Sequence, residues 1–195
     1  MRFLARKLHR SGHTCPWWFA YTFDNALRGL VHRPSEILGG LVRRGDTVVD
    51  VGSGLGFFTL AMAEMVGPDG KVISVDVQSA MLKRARRRAE RRGLANRIDF
   101  HQASHTGMGL SGPADFVLAF WMVHEVRDRA GFLAEVRSIL RPTGHLLIAE
   151  PKGHVSPGLF ARITKLASDA GFVVKEGRDV RFSRSILCKP GSESA

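Results

Sequence analysis

From Thr47 onward, short runs of β-branched and aromatic residues alternate with longer runs at helical spacing: TVVDV, FFTLAMAEMV, KVISVDV, SAMLKRARRRAERR and RIDFH. That order is βαβαβ, the pattern of a parallel sheet with crossover helices. It continues with a strand in ADFVLAFW, a helix in which Phe132, Leu133, Val136, Ile139 and Leu140 share a face, and a strand in HLLIAE. Ser156 and Pro157 predict the N-cap and first turn of a helix with Phe160, Ile163, Leu166 and Ala167 inward, stopped at Gly171. FVVKE and RFSRSILCK, separated by GRD, read as an antiparallel pair. Upstream, Leu27, Leu30 and Val31, then Ile37, Leu38, Leu41 and Val42, keep helical spacing on either side of Pro34. They predict two short helices that form a lid.

Composition narrows this to one α/β domain of the Rossmann-like, doubly wound kind, because 195 residues at 44% apolar content build one core rather than two. The expected organisation is an N-terminal helical and aromatic lid over 1–34, the ligand-binding domain over 35–190 and a disordered tail over 191–195. No apolar run reaches the roughly 18 residues of a membrane span, so a cytoplasmic location is expected. Cys15 and Cys188 are the only cysteines and lack metal or disulfide spacing, which suits a reducing compartment.

The net charge of +11 is concentrated in two places. Residues 1–23 carry Arg2, Arg6, Lys7 and Arg10 with no acid, and KRARRRAERR over 83–92 carries seven bases against Glu90; together they hold ten of the eleven charges. Any anionic partner would meet these local patches rather than the whole surface. Phe3, Leu4 and Leu8 among the first bases also give an amphipathic, targeting-like pattern, without its usual serine richness.

The run VVDVGSGLGFF places Gly52, Gly54 and Gly56 where the first strand turns into the first helix. Backbone there can approach a ligand closely, and helix amides can face its negative end. A dinucleotide fingerprint would put its third glycine at Phe57, whereas this chain has it at Gly56. Asp50, ending the strand, would repel a pyrophosphate but suits an ammonium group. Asp76, twenty residues beyond Gly56 at the end of the second strand, can accept hydrogen bonds from both hydroxyls of a ribose.

VVDVGSGLG, VISVDVQSAML, ADFVLAFWMVHEV and ILRPTGHLLIAEP together resemble the class I methyltransferases that use S-adenosyl-L-methionine (SAM), close to the ubiquinone/menaquinone-type small-molecule branch, over about residues 35–175. The resemblance implies a mostly parallel seven-stranded sheet in the order 3-2-1-4-5-7-6, last strand antiparallel, with helices on both faces. It implies SAM as cofactor and S-adenosyl-L-homocysteine as product. The glycine loop, Gly52, Ser53, Gly54 and Gly56, would cradle the methionine portion. Asp76 with Val77 would bind ribose, Ala103 and Ser104 the adenine, and Trp121 the cofactor's amino end. Ser104 stands where the family commonly has an aspartate, so a hydroxyl or a backbone carbonyl would meet the adenine amino group.

Methyl transfer from a sulfonium is an in-line displacement that chiefly needs alignment and exclusion of water. An acceptor with a proton to lose also needs a base, for which His124, with Glu125 as orienting neighbour, is the candidate. The alternative is a histidine that only caps its loop. In CPWWFAYTF, Trp17, Trp18, Phe19, Tyr21 and Phe23 either roof an acceptor pocket or pin a helix to the core. Trp18, Tyr21 and Asp24 are candidate acceptor contacts there, as are Lys152 and His154 in EPKGHVS after the fifth strand, or these are solvated loop residues. His9, His13 and Cys15, or His101 and His105, have ligand-like spacing without a fourth ligand, so no metal is expected. Nothing adjacent activates Cys15.

Other readings stay open. RNA methylation would use the 83–92 helix, which sets Met81, Ala85 and Ala89 on one face and arginines on the other, ready for phosphates. Against it, LAFWMV stands where base-amine methylases carry an N/D-P-P-Y/F run. An NAD-linked oxidoreductase and a SAM-binding protein without catalysis are the remaining alternatives; a small-molecule acceptor is the reading preferred.

Overall fold

In the computed structural model, which describes residues 31–191, β1 (Thr47–Val51), β2 (Lys71–Asp76), β3 (Ile98–Gln102), β4 (Ala114–Phe120), β5 (Leu140–Pro151), β6 (Phe172–Glu176) and β7 (Ser183–Pro190) form one sheet in the order β3-β2-β1-β4-β5-β7-β6. Strands β1 to β5 pair in parallel, and β7 runs antiparallel to both β5 and β6. This is the expected order.

Side-chain alternation along the strands divides the core in two. Val49, Val117, Leu146 and Ile148 point to one face and pack on α4 (Arg129–Ile139) and α5 (Pro157–Asp169) through Leu133, Val136, Ile163 and Ala167. Val48, Phe116, Leu118 and Leu147 point to the other, against α2 (Phe57–Val66) and α3 (Ser79–Arg91), through Phe58, Met62, Val66 and Ala89. Because both faces are covered, β4 carries almost no polar residue, as expected of a strand buried on both sides.

Local chemistry sets the helix limits. Asp128 caps α4 by accepting from the Gly131 amide, and Ser156 caps α5 by accepting from the Leu159 amide, with Pro157 in the first turn. Gly171, at φ 86°, follows the end of α5 in the conformation that an L side chain resists.

The lid expected over 1–34 lies almost wholly outside the described residues; the helix after Pro34 is one short turn, α1 (Pro34–Leu38), with Ile37, Leu38 and Val42 buried beside Phe58, Met62 and Val66. Its apolar spacing reports a core contact, which the same periodicity cannot distinguish from a movable cover. Two element boundaries are corrected. Leu140 opens β5 instead of closing α4, because β4 pairs first with Leu140 and then with His145, so the residues between them bulge out. The last strand begins at Ser183, since Arg181 and Phe182 form a turn closed by the Ser183 amide on the Val180 carbonyl. The first upstream helix, around Leu27 and Leu30, and residues 192–195 of the tail lie outside the described residues.

Candidate functional site

The parallel strands end level with one another: Val51 pairs with Val75 and with Ala119, and Phe120 with Ala149. From β1 the chain winds outward to β2 and β3, whereas β4 and β5 lie on β1's other side. The crevice above β1 and β4 is thus the point where ligands bind in such sheets.

The three glycines after β1 all take left-handed backbone, φ 68°, 55° and 80°, for different reasons. A Cβ on Gly52 would stand 2.9 Å from Cβ of Met122, and one on Gly56 3.1 Å from Cβ of Ala85 on α3. One on Gly54 would meet nothing within 4 Å, so this glycine faces open space. No side chain caps α2, whose N-cap is Gly56.

Beneath the bend lies a polar seam in an otherwise apolar face. Asp50, 3% exposed, accepts a hydrogen bond from the Thr59 hydroxyl at 2.5 Å, and the Ser74 hydroxyl donates to that of Ser53 at 2.8 Å. Asp50 and Ser74 are paired neighbours on β1 and β2, and Thr59 comes down from α2 between them. Asp76 holds the bend from the side: its Oδ2 accepts from the Gly54 amide at 2.9 Å and its Oδ1 from the Gln78 amide at 2.8 Å. Burial pushes its pKa up, against the backbone amides of Gln78, Gly54 and Val77, which pull it down. These bonds leave lone pairs on both oxygens.

Ala103 is tied to the same place, its amide donating to the Asp76 carbonyl at 3.1 Å. Ser104 is exposed and closes its own turn, accepting from the Thr106 and Gly107 amides. At the exit of β4, Trp121 takes φ 60° and donates its indole N–H to the Ser183 hydroxyl at 2.8 Å, stacked on Phe120. The side chain lying against Gly52 is that of Met122, which sequence reasoning passed over because a methionine carries no chemical signature.

His124 follows on a short 3-10 turn, Val123–Glu125, clamped by Arg129, which donates to the carbonyls of Val123 and His124. Its Nδ1 lies 2.5 Å from Oε2 of Glu150, and its amide donates to Oε1 of the same carboxyl at 3.1 Å. Glu150, at the end of β5, is 0% exposed. The orienting partner is therefore Glu150, not Glu125, whose Oε1 stands 4.0 Å away on the Nε2 side. The 3-10 turn carries Nδ1 back over the neighbouring strand, so β4–β5 pairing selects the partner. Burial is the largest single effect and opposes a charged ring, but the hydrogen bond and charge of Glu150 together with the charge of Glu125 leave the pKa of His124 raised.

The His154 ring lies parallel to that of His124, centroids 6.5 Å apart, and Lys152 is exposed in the same loop. Trp18, Tyr21 and Asp24 lie outside the described residues, as do His9, His13 and Cys15. His101 is engaged with the Met108 carbonyl at 2.6 Å, and no group of three potential metal ligands occurs among the described residues. On α3, Met81, Ala85 and Ala89 are buried while Lys83, Arg86, Arg87, Arg91 and Arg92 are exposed; Arg88 donates to the Leu55 carbonyl of the bend.

The donor set suits a cationic sulfonium nucleoside. The acidic side chains at the bend are Asp50 and Asp76, and the open backbone at Gly54 admits a ligand where a side chain would intrude. A diphosphate would meet two carboxylates.

Comparison with known proteins agrees. A family model described as a methyltransferase domain matches residues 43–175. A ubiquinone/menaquinone biosynthesis C-methyltransferase from Hahella chejuensis is 33% identical over 110 residues, 56% of this chain and 44% of that protein. Its counterpart from Francisella philomiragia is 30% identical over 119 residues, 60% and 48% of the two chains. The chain thus spans less than half the length of these relatives. A crystal structure of a SAM-dependent methyltransferase from Aquifex aeolicus superposes with a TM-score of 0.80 at 24% identity, covering 90% of this chain and 98% of that one, a likeness of fold.

Proposed function

Because the chain belongs to the methyltransferase-domain family and is built as a class I SAM-dependent methyltransferase, we propose that it methylates a small molecule whose reacting atom first gives up a proton to His124. The observation that carries this reading is the buried Glu150 carboxyl fixed on Nδ1 of His124 at the strand edge that bears the glycine bend. A histidine that merely capped a loop would need no such partner.

When bound, SAM supplies an electrophilic methyl group on a sulfur that keeps the C–S bonding electrons as it leaves. Gly52, Ser53, Gly54 and Gly56 would hold its methionine portion, with the Asp50 charge below. Asp76 and Val77 would receive the ribose, and Ala103 and Ser104 the adenine. The family's amino-end position after β4 falls on Trp121, and Met122 would lie beside it. With Glu150 holding Nδ1–H, the Nε2 atom keeps its lone pair toward the acceptor. It takes the proton from a hydroxyl, amine or acidic carbon while that atom gains the methyl group. Glu125, near Nε2, then stabilises the imidazolium. Lys152 and His154 would contact the acceptor, and Trp18, Tyr21 and Asp24 would roof it from the N-terminal segment.

Support for a small acceptor comes from the relatives named for ubiquinone/menaquinone biosynthesis and from the position of His124. It sits on the β4–β5 half of the edge, across β1 from the basic α3. The reading places the enzyme in the cytoplasm, and no helix among the described residues is long and apolar enough to cross a membrane. Calorimetric titration with SAM, S-adenosyl-L-homocysteine and NAD tests the cofactor, and turnover over an acceptor library with and without bulk RNA tests the acceptor. Binding of NAD alone, or methylation of RNA alone, would overturn the proposal.

A further inference from the structure

Among the described residues, two that are not glycine hold left-handed backbone, Trp121 and Phe182, and both lie at the ligand edge of the sheet. Phe182, at φ 62°, is the third residue of the turn closed by the Ser183 amide on the Val180 carbonyl at 2.9 Å. With positive φ, that position normally takes glycine or asparagine, because a Cβ crowds the following carbonyl. The ring is 60% exposed, so burial offsets little of this cost. Neither the turn nor the core explains a phenylalanine here, and an exposed, conformationally costly residue of this kind points to a ligand.

Its surroundings state which ligand. The Phe182 carbonyl accepts from the Lys152 amide at 2.8 Å, next to the Pro151 and Ser183 pair of β5 and β7. The 152–154 loop thus joins Phe182 to His154, whose ring is parallel to that of His124. The Arg181 guanidinium lies over the Phe182 ring, 5.1 Å from its centroid. Arg178 and Arg184 are committed to the carbonyls of Gly39 and Val155, whereas no carboxylate among the described residues is paired with Lys152 or Arg181. The acids in this region are Asp179, in the same loop, Glu125, beside His124, and the fully buried Glu150, which is bound to His124 and faces away from solvent.

We infer that Phe182 is an acceptor-contacting residue, stacking on a planar acceptor whose anionic group is met by Lys152 and Arg181. The inference rests on the methyltransferase reading above and adds the shape and charge of what is methylated. The strained turn aims the ring, and the adjoining cations select an acid over its neutral analogue.

The test uses the full chain saturated with S-adenosyl-L-homocysteine, titrated with 3,4-dihydroxybenzoate and with catechol, which differ by one carboxylate. The acid should bind about tenfold more tightly than catechol, as one charge-assisted contact provides. Phe182→Gly should weaken both probes up to about tenfold by removing the stacking face, and Phe182→Trp should retain them. Lys152→Gln should weaken the acid alone. Phe182→Gly should leave homocysteine-nucleoside affinity unchanged and the melting temperature equal or higher, since glycine fits the turn. Wild-type probe binding in Phe182→Gly, a lowered melting temperature in that variant, or no binding of either probe to the loaded wild-type protein would each overturn the inference. Failure of the chain to bind S-adenosyl-L-homocysteine would bring down the methyltransferase reading and this one with it.

Discussion

His124 and Glu150 meet at the end of the sheet, Nδ1 to Oε2 at 2.5 Å, with the His124 amide on the other carboxyl oxygen at 3.1 Å. Two bonds to one buried carboxyl fix both the tautomer and the orientation of the ring. Burial works against its protonation, yet the hydrogen bond and charge of Glu150 with the charge of Glu125 hold the pKa above the ordinary 6.5. The free base prevails only above that raised value, so kcat should rise with pH through it. Glu150→Gln should move this limb to lower pH and reduce the plateau by roughly 10- to 100-fold, as expected when a base loses its orienting group. A pH–rate profile of the two proteins checks this; an unmoved limb would show that His124 is not the base.

The same pair makes a stability prediction. A histidine whose folded pKa is raised contributes its stabilisation in full below the unfolded pKa and loses it as pH rises through the folded value. Urea midpoints of the wild-type protein should therefore fall as pH increases from just below 6.5 upward, and those of His124→Gln should be flatter over that range.

Asp76 holds the Gly54 amide at 2.9 Å, and in the proposed function it also receives the ribose. Asp76→Ala should weaken SAM binding by about 1.5–3 kcal/mol. Because the bend also loses its tether, amide exchange at Gly54 should quicken in the free protein. Burial raises the carboxyl's pKa, so affinity should begin to fall on acidification at a higher pH than an ordinary aspartate, near 3.8, would give. Calorimetry across pH reads both effects.

Gly52→Ala sets a Cβ 2.9 Å from Cβ of Met122 at φ 68°. The backbone alone costs about 1–2 kcal/mol, and the contact adds to it. The melting temperature should drop, and adding Met122→Ala should recover the part due to the contact but not the part due to φ.

Leu38 is fully buried beside α2, so Leu38→Ala should cost roughly 2–5 kcal/mol of folding stability. SAM affinity of the folded protein should be unchanged. A loss of acceptor binding without loss of stability would instead show that this helix covers the acceptor.

Much of the fold was legible because its signals are short-ranged. Val48, Val49 and Val51 alternate about a strand, Met81, Ala85 and Ala89 recur at helical spacing, and Ser156 with Pro157 starts a helix from within its own first turn. The bend was legible too, since the spacing of Gly52, Gly54 and Gly56 reflects backbone conformations no other residue adopts cheaply. The role of α1 was not, because Ile37 and Leu38 show the same spacing whether they cover a site or fill a core.

What the sequence by itself determined was the order of strands and helices, the glycine bend, and the acid that ends β2 at position 76, each read from residues close to it along the chain. Tertiary structure decided that His124 answers to Glu150, 26 residues away, rather than to adjacent Glu125, and that the Met122 side chain lies against Gly52. The physical reason is that a side chain's partner is set by strand register and by the turn that aims it, and neither quantity is encoded in spacing along one chain.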